Sequence, residues 1–432
     1  MSILGDARKA VRLFSGALRS RAVIAEAERL DRERGPLPPR HFQVAVYFAD
    51  GPVNLYQMRQ WYAPLAALAE TRPVVVIARA ASGAAALLKE SPLPVVYART
   101  IDDVESVLAS QQIRVVLYVN QNTRNFQMFR YGHRWHVFIS HGESDKVYMR
   151  SNQIGAYDYT FVAGDAALSR LRGALWDYDI DRRAIPIGRP QADYFGARPA
   201  PYPADERITV FYAPTWEGDR ASMSYGSIAT HGEALAAAVL ADPKLRLVFR
   251  PHPRSGVSDR AYGLALRRIV AAIAAANAAD PTAHHVFDES PDLDWQLLAP
   301  DIAVMDVSAM VYDRLATGKA LFVTRPVDPA AVIDDEGYLS ECEWLNARDA
   351  GDVGTLVARA QQPDVTARLA YWSQHYFGDT TPGAASARFE DAVARLMREW
   401  EIWHERASAD GIDDEEVESF ADSDDDEDEP DA

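Results

Sequence analysis

Two histidines stand in short loops that follow apolar runs: Ser140-His141-Gly142 and Arg250-Pro251-His252-Pro253. An imidazole titrates near neutrality, so it can take a proton from an attacking hydroxyl or donate a hydrogen bond to an anion. Two more segments bring hydroxyls and carboxylates to the same kind of position: Pro214-Thr215-Trp216-Glu217-Gly218, and Asp306-Val307-Ser308-Ala309 with Asp313. The combination suits a diphosphate substrate. Ser308 opens a predicted helix, whose N–H groups and dipole favour an anion. Arg250 can fork onto phosphate oxygens. One histidine can act as base while the other stabilises charge as a leaving group departs. Asp313, one turn beyond Ser308, can orient a hydroxyl or a histidine.

Each residue also has a structural reading. A histidine between prolines makes a rigid turn, and Asp306 to Asp313 can be a helix N-cap with a solvated carboxylate. Thr215-Trp216 can be a turn with an aromatic lid. His284-His285 sits in a polar connection and reads as surface. His133 and His136 lack the partners or spacing of a metal site; no metal and no cofactor are expected.

The elements that must position these loops are short β-branched runs. Phe42–Phe48, Val74–Ala78, Val95–Tyr97, Val115–Val119, Val137–Ser140, Tyr159–Val162 and Ala184–Ile187 alternate with helical stretches. A Pro-rich break at 197–206 separates them from Ile208–Tyr212, Leu245–Phe249, Val286–Phe287, Ile302–Met305 and Leu321–Val323. Runs apolar on both faces and linked by helices predict an α/β fold of doubly wound parallel sheets. Two lobes follow, at 40–196 and 205–400. In such sheets ligands bind beyond the carboxyl ends of the strands. His141 and His252 lie 111 positions apart, so each lobe offers one imidazole to a shared cleft.

The two ends differ from this body. Ile3, Leu4, Ala7, Val11, Phe14, Leu18 and Ala25 form a stripe bordered by Arg8, Arg12 and Arg19. Residues 1–35 thus read as a basic amphipathic helix, lying either on an anionic membrane surface or on the protein's own body. Residues 408–432 hold 14 acidic side chains and no basic one, so only −4 of the formal charge of −18 belongs to the rest. That tail is too charged to fold, and reads as a solubilising terminus or an arm for a basic partner. The body has no basic stripe for nucleic acid. Cys342 is the only cysteine, which excludes an internal disulfide and suits a reducing compartment. No run is long enough to span a bilayer, and no export signal is read at the N-terminus.

The four motifs in this order resemble the CDP-glycerol glycerophosphotransferase family of teichoic acid synthesis. That family's pattern is His-Gly with a downstream Lys, then Pro-Thr-Trp, then His-Pro, then Asp-Tyr-Ser-Ser followed by Asp. This chain has His141-Gly142 with Lys146, Pro214-Thr215-Trp216, His252-Pro253, and Asp306-Val307-Ser308-Ala309 with Asp313. Gly188-Arg189-Pro190-Gln191-Ala192-Asp193 resembles the family's Gly-x-Pro-x-x-Asp linker, and Gly378-Asp379 with Gly383 and Ser386 its C-terminal segment. The resemblance spans residues 115–395. It implies a GT-B architecture of two facing Rossmann-like lobes, and attack by an acceptor hydroxyl on the polyol-bearing phosphate of a CDP-activated donor, releasing CMP. It implies His141 as general base, His252 with Arg250 at the diphosphate, and Thr215, Ser308 and Asp313 binding or orienting the donor; Gly142, Lys146 and Asp306 are its other candidate donor-binding residues. It further implies a lipid-linked acceptor and a place on the cytoplasmic membrane face. The fourth motif departs from the pattern by one phenol and one hydroxyl. Two other readings therefore stay open: a GT-B glycosyltransferase using a nucleotide sugar, and a non-catalytic member of the family.

Overall fold

The computed structural model describes residues 3–143, 147–290, 293–333 and 336–409. Lys146 lies outside them, as does the acidic tail from residue 410.

In the first lobe, β1 (Val44–Phe48), β2 (Val74–Ala78), β3 (Val95–Tyr97), β4 (Val115–Tyr118), β5 (Trp135–Phe138), β6 (Tyr159–Val162) and β7 (Ala184–Pro186) form one sheet. Its order is β3-β2-β1-β4-β5-β6-β7. In the second, β8 (Ile208–Ala213), β9 (Leu245–Phe249), β10 (Val286–Phe287), β11 (Ile302–Met305), β12 (Ala320–Thr324) and β13 (Glu343–Leu345) pair in the order β10-β9-β8-β11-β12-β13. The pairings in both sheets are parallel. Val44, Val46 and Phe48 of β1 enter one core, while Ala45 and Tyr47 enter the core on the opposite face. Burial on both faces is why the strands read as continuous apolar runs rather than alternating ones. Each sheet reverses its winding beside its first strand, between β1 and β4 and between β8 and β11. That reversal leaves a crevice beyond the carboxyl ends of those strands.

The last helix, Ala384–Ala409, corrects the expected lobe boundary. Its Phe389, Ala392, Val393, Leu396 and Met397 are buried with Val44, Val46 and Trp61 in the first lobe's core. Residues 384–400 therefore belong by packing to the first lobe, although they follow the second. Asp193 fixes the crossing: its carboxylate accepts from the N–H of Gly383 at 3.0 Å and of Ser386 at 2.7 Å. The two segments that supported the family resemblance thus meet, one capping the helix that the other begins. Gly188 adopts φ of +76°, and a side chain there would press on Arg388 and Ala385 of the same helix.

The N-terminal helix runs Ile3–Arg34. Val23, Ile24, Ala27 and Leu30 pack on the first lobe's core. Glu26 pairs with Lys89 at 3.0 Å, and Asp31 accepts from the Tyr97 N–H at 3.0 Å. Its second half is therefore seated on the body. Ala25, expected on the apolar stripe, is exposed, and the side chains of Ile3 to Leu18 lie outside the described residues. Among the described residues no helix is long and apolar enough to cross a membrane.

Candidate functional site

Strand β5 ends at Phe138 rather than at Ser140, because Ser140 turns to φ of +53°. A non-glycine residue rarely adopts that conformation. Here the Ser140 carbonyl accepts the Trp61 indole N–H at 2.5 Å, and its Oγ donates to the Gly142 carbonyl at 3.2 Å. His141 follows, half-buried, with Nδ1 3.1 Å from the Val119 carbonyl. A carbonyl can only accept, so Nδ1 carries a proton, and in the neutral ring the lone pair is on Nε2. Tyr56 packs edge-on against the ring at 5.5 Å.

Beside this loop the crevice of the first sheet holds polar residues that lie outside the four motifs. Asn120 donates to Asp50 at 2.6 Å and to Gln57 at 2.7 Å, and Asn54 donates to Asp50 at 2.9 Å. The signal was available: Asp50 and Asn120 follow apolar runs as directly as the histidines do.

In the second lobe the Pro214 and His252 loops form one unit. The His252 N–H donates to the Pro214 carbonyl at 3.1 Å, and the Arg254 guanidinium lies 3.9 Å from the centre of the Trp216 ring. Glu217 accepts from the N–H groups of Gly256, Ser258 and Asp259. His252 is exposed, and its Nδ1 accepts from the Arg254 N–H at 3.1 Å. The neutral ring therefore carries its proton on Nε2, the reverse of His141. Partial desolvation, and then the Arg254 charge, lower its pKa, while Glu217 acts the other way.

Other candidates take different parts. Asp306 is wholly buried; it accepts from the N–H of Thr215 at 2.7 Å and of Ser227 at 3.0 Å, and from Thr324 Oγ1 at 2.5 Å. Burial pushes its carboxyl up to about 6. It ties the loops after β8 and β11 together from behind, and both of its oxygens are taken by the protein's own donors, so it does not face a donor substrate. Thr215, half-buried, is pinned by this bond and by Tyr262 Oη donating to its carbonyl at 2.6 Å. Arg250 was expected to fork onto phosphate; instead Nη1 binds Asp288 at 2.5 Å and Ser290 Oγ at 3.0 Å, and Nη2 binds the Ser290 carbonyl at 2.9 Å. Its fork braces the loop after β10.

Ser308 stands at the N-cap of the helix Ala309–Leu315 and makes no side-chain capping bond there. Asp313 is not solvated and does not reach a histidine. It is buried against Arg189 of the first lobe, with Nη2 to Oδ1 at 2.5 Å. Arg189 in turn lies 3.8 Å from where a side chain at Gly142 would begin. The His141 loop, the linker and the Ser308–Asp313 helix are thereby brought to one place between the lobes. Arg314 secures that helix from below, donating to the carbonyls of Leu297, Pro300, Asp301 and Ala320.

Two other histidines proved structural. His285, expected at the surface, is buried, its Nδ1 accepting from the Leu247 N–H at 3.0 Å. His136 is buried between Tyr118 Oη at 2.8 Å and the Tyr131 carbonyl at 3.0 Å. Among the described residues no group of three or more His, Cys, Asp or Glu could hold a metal ion.

No protein-family model matches the chain, and no curated protein matches it by sequence. Solved structures do. The wall teichoic acid polymerase TagF, in a variant soaked with CDPG, is similar with a TM-score of 0.54 and 13% identity, covering 92% of this chain and 99% of that one. A second structure of TagF gives 0.51 and 14%, covering 91% and 99%. A putative UDP-N-acetylglucosamine 2-epimerase from Listeria monocytogenes gives 0.53 and 14%, covering 83% and 97%. With these two parallel sheets and the crevice that each contributes, the chain has a GT-B-like fold, shared with proteins to which it is 13–14% identical.

Proposed function

We propose that this protein is a transferase that moves a polyol phosphate, glycerol phosphate in the first instance, from a CDP-activated donor to a hydroxyl of a lipid-linked acceptor. One observation carries the reading: Nδ1 of His141 faces a backbone carbonyl and Nδ1 of His252 a backbone N–H, so the neutral rings take opposite tautomers. Neutral His141 has its lone pair on Nε2, as a proton acceptor needs. Neutral His252 has its proton on Nε2, as a hydrogen-bond donor to phosphate needs. In the proposed step the acceptor oxygen bonds to the polyol-bearing phosphorus as its proton passes to His141 Nε2. The bond from that phosphorus to the bridging oxygen breaks, and CMP leaves with that oxygen while His252 stabilises its charge. Ser308, with its hydroxyl not spent on capping, contacts the donor; Thr215 and Gly142 shape the walls. Arg250, Asp306 and Asp313 act through the scaffold.

The likeness to a polymerase soaked with CDPG supports this donor class. The basic N-terminal segment supports work at the inner face of the cell membrane. A nucleotide-sugar glycosyltransferase is the second reading, favoured by the Val307 and Ala309 replacements in the fourth motif and by the likeness to a putative UDP-N-acetylglucosamine epimerase. Incubation with CDP-glycerol and a lipid-linked acceptor should release CMP, and His141→Ala should abolish that release. Full turnover in both His141→Ala and His252→Ala would overturn the mechanism. Turnover with UDP- or GDP-sugars alone would favour the second reading.

A further inference from the structure

A cavity lies away from both histidine loops, at the amino-terminal ends of β5 and β6. It encloses about 370 Å³, within the size range of small-molecule sites. One wall is Phe129 and Tyr131, followed by the turn Gly132-His133-Arg134 that leads into Trp135 of β5; Asp158 precedes β6. The other wall is Trp400, Trp403, His404 and Ala407 of the last helix.

The walls are fixed to one another. The Trp400 indole N–H donates to the His133 carbonyl at 2.6 Å and the Trp135 indole N–H to the Leu396 carbonyl at 3.1 Å. Trp400 is already covered, with His404 stacked on it at 4.4 Å and Arg114 over its ring at 4.4 Å. His133 holds φ of +56°. Trp403 lines the cavity and is 50% exposed, with the Arg406 guanidinium 5.1 Å from the centre of its ring. A half-exposed indole at the mouth of a braced cavity is a ready stacking surface.

We propose that this cavity binds a sugar ring, independently of the transferase site. The C–H face of a pyranose carries partial positive charge and is attracted to the negative face of an indole. Ring hydroxyls project around the whole edge and need donors and acceptors on several sides. His133, Arg134 and Asp158, whose carboxylate accepts from the His136 N–H, line one wall, and His404 lines the other. The ligand class is therefore a neutral or weakly anionic saccharide, with Trp403 as its platform and the 132–134 turn at its edge.

The test uses the full chain, with tryptophan fluorescence and calorimetry. The probes are N-acetylglucosamine, its β-1,4-linked trimer, maltotriose and AMP. Saturable binding of at least one sugar is expected, weakened about tenfold in Trp403→Ala and mostly retained in Trp403→Phe. Thermal melting of both variants should match that of the parent. No saturable sugar binding up to the solubility of the probes would overturn the proposal, as would binding unaffected by Trp403→Ala or AMP bound more tightly than every sugar. CMP release measured alongside separates the two proposals, since loss of sugar binding in Trp403→Ala leaves the transferase step intact.

Discussion

Arg189 of the first lobe and Asp313 of the second form a buried ion pair, with side chains 6% and 11% exposed. It joins the linker to the helix that Ser308 opens. Burial raises the Asp313 pKa while Arg189 opposes that rise. Removing either partner leaves the other charge buried and unmatched, a loss of about 3–5 kcal/mol by precedent. Arg189→Met and Asp313→Leu singly should therefore destabilise strongly. The double variant should be markedly more stable than the sum of the two predicts. Denaturant unfolding of the four proteins checks this; additive losses would show that the pair is not coupled.

Asp306 gives a pH signature. Its folded carboxyl is raised to about 6, above the ordinary value of about 3.9 for an unfolded Asp. A raised carboxyl contributes stability that is present below the unfolded pKa and lost as pH rises through the folded one. Wild type should thus lose, relative to Asp306→Asn, on the order of 3 kcal/mol between about pH 4 and pH 6. Asn can keep the contacts by accepting from Thr215 and Ser227 and donating to Thr324. Parallel melting curves for the two proteins across that range would contradict the assignment.

His252 should stay neutral at pH values where an ordinary histidine is half-charged, because desolvation and Arg254 both lower its pKa. Arg254→Gln removes the second cause but keeps the backbone N–H that holds Nδ1. The His252 ring titration, followed by NMR, should move upward in that variant. A downward movement would mean that the Arg254 charge does not act on the ring.

Trp61 should act on chemistry through His141. Its indole N–H holds the Ser140 carbonyl, and its ring packs on Phe389 at 5.2 Å. His141→Ala should lower kcat by about 10²–10⁴-fold, the usual contribution of a general base. Trp61→Phe should lower kcat by a smaller factor with the donor KM little changed. Equal effects on both constants would mark Trp61 as a general scaffold residue.

Much of this was legible in the chain because the physics is local. Strands buried on both faces are apolar throughout, so most strands appeared near their observed positions, and the loops after them carried the histidines. The losses came from long-range pairing. No local pattern tells that Arg250 meets Asp288 and Ser290, or that Asp313 meets an arginine 124 positions earlier. The short and mixed Glu343–Leu345 carries too little apolar signal to read as β13. Phe389 to Met397 form a periodic apolar face that says a core is near but not which one.

That last helix also imposes an order of events on synthesis. Phe389, which completes the first lobe's interior, leaves the ribosome about 200 residues after Ile187, which closes that lobe's sheet region. At usual elongation rates the gap is roughly 10–40 s. Throughout it the nascent lobe exposes the apolar surface around Trp61 and Phe161, to be covered only once Phe389 to Met397 have emerged. A ribosome that stalls before residue 384 leaves the first lobe without its cover, so synthesis of the second lobe must finish before the first can close.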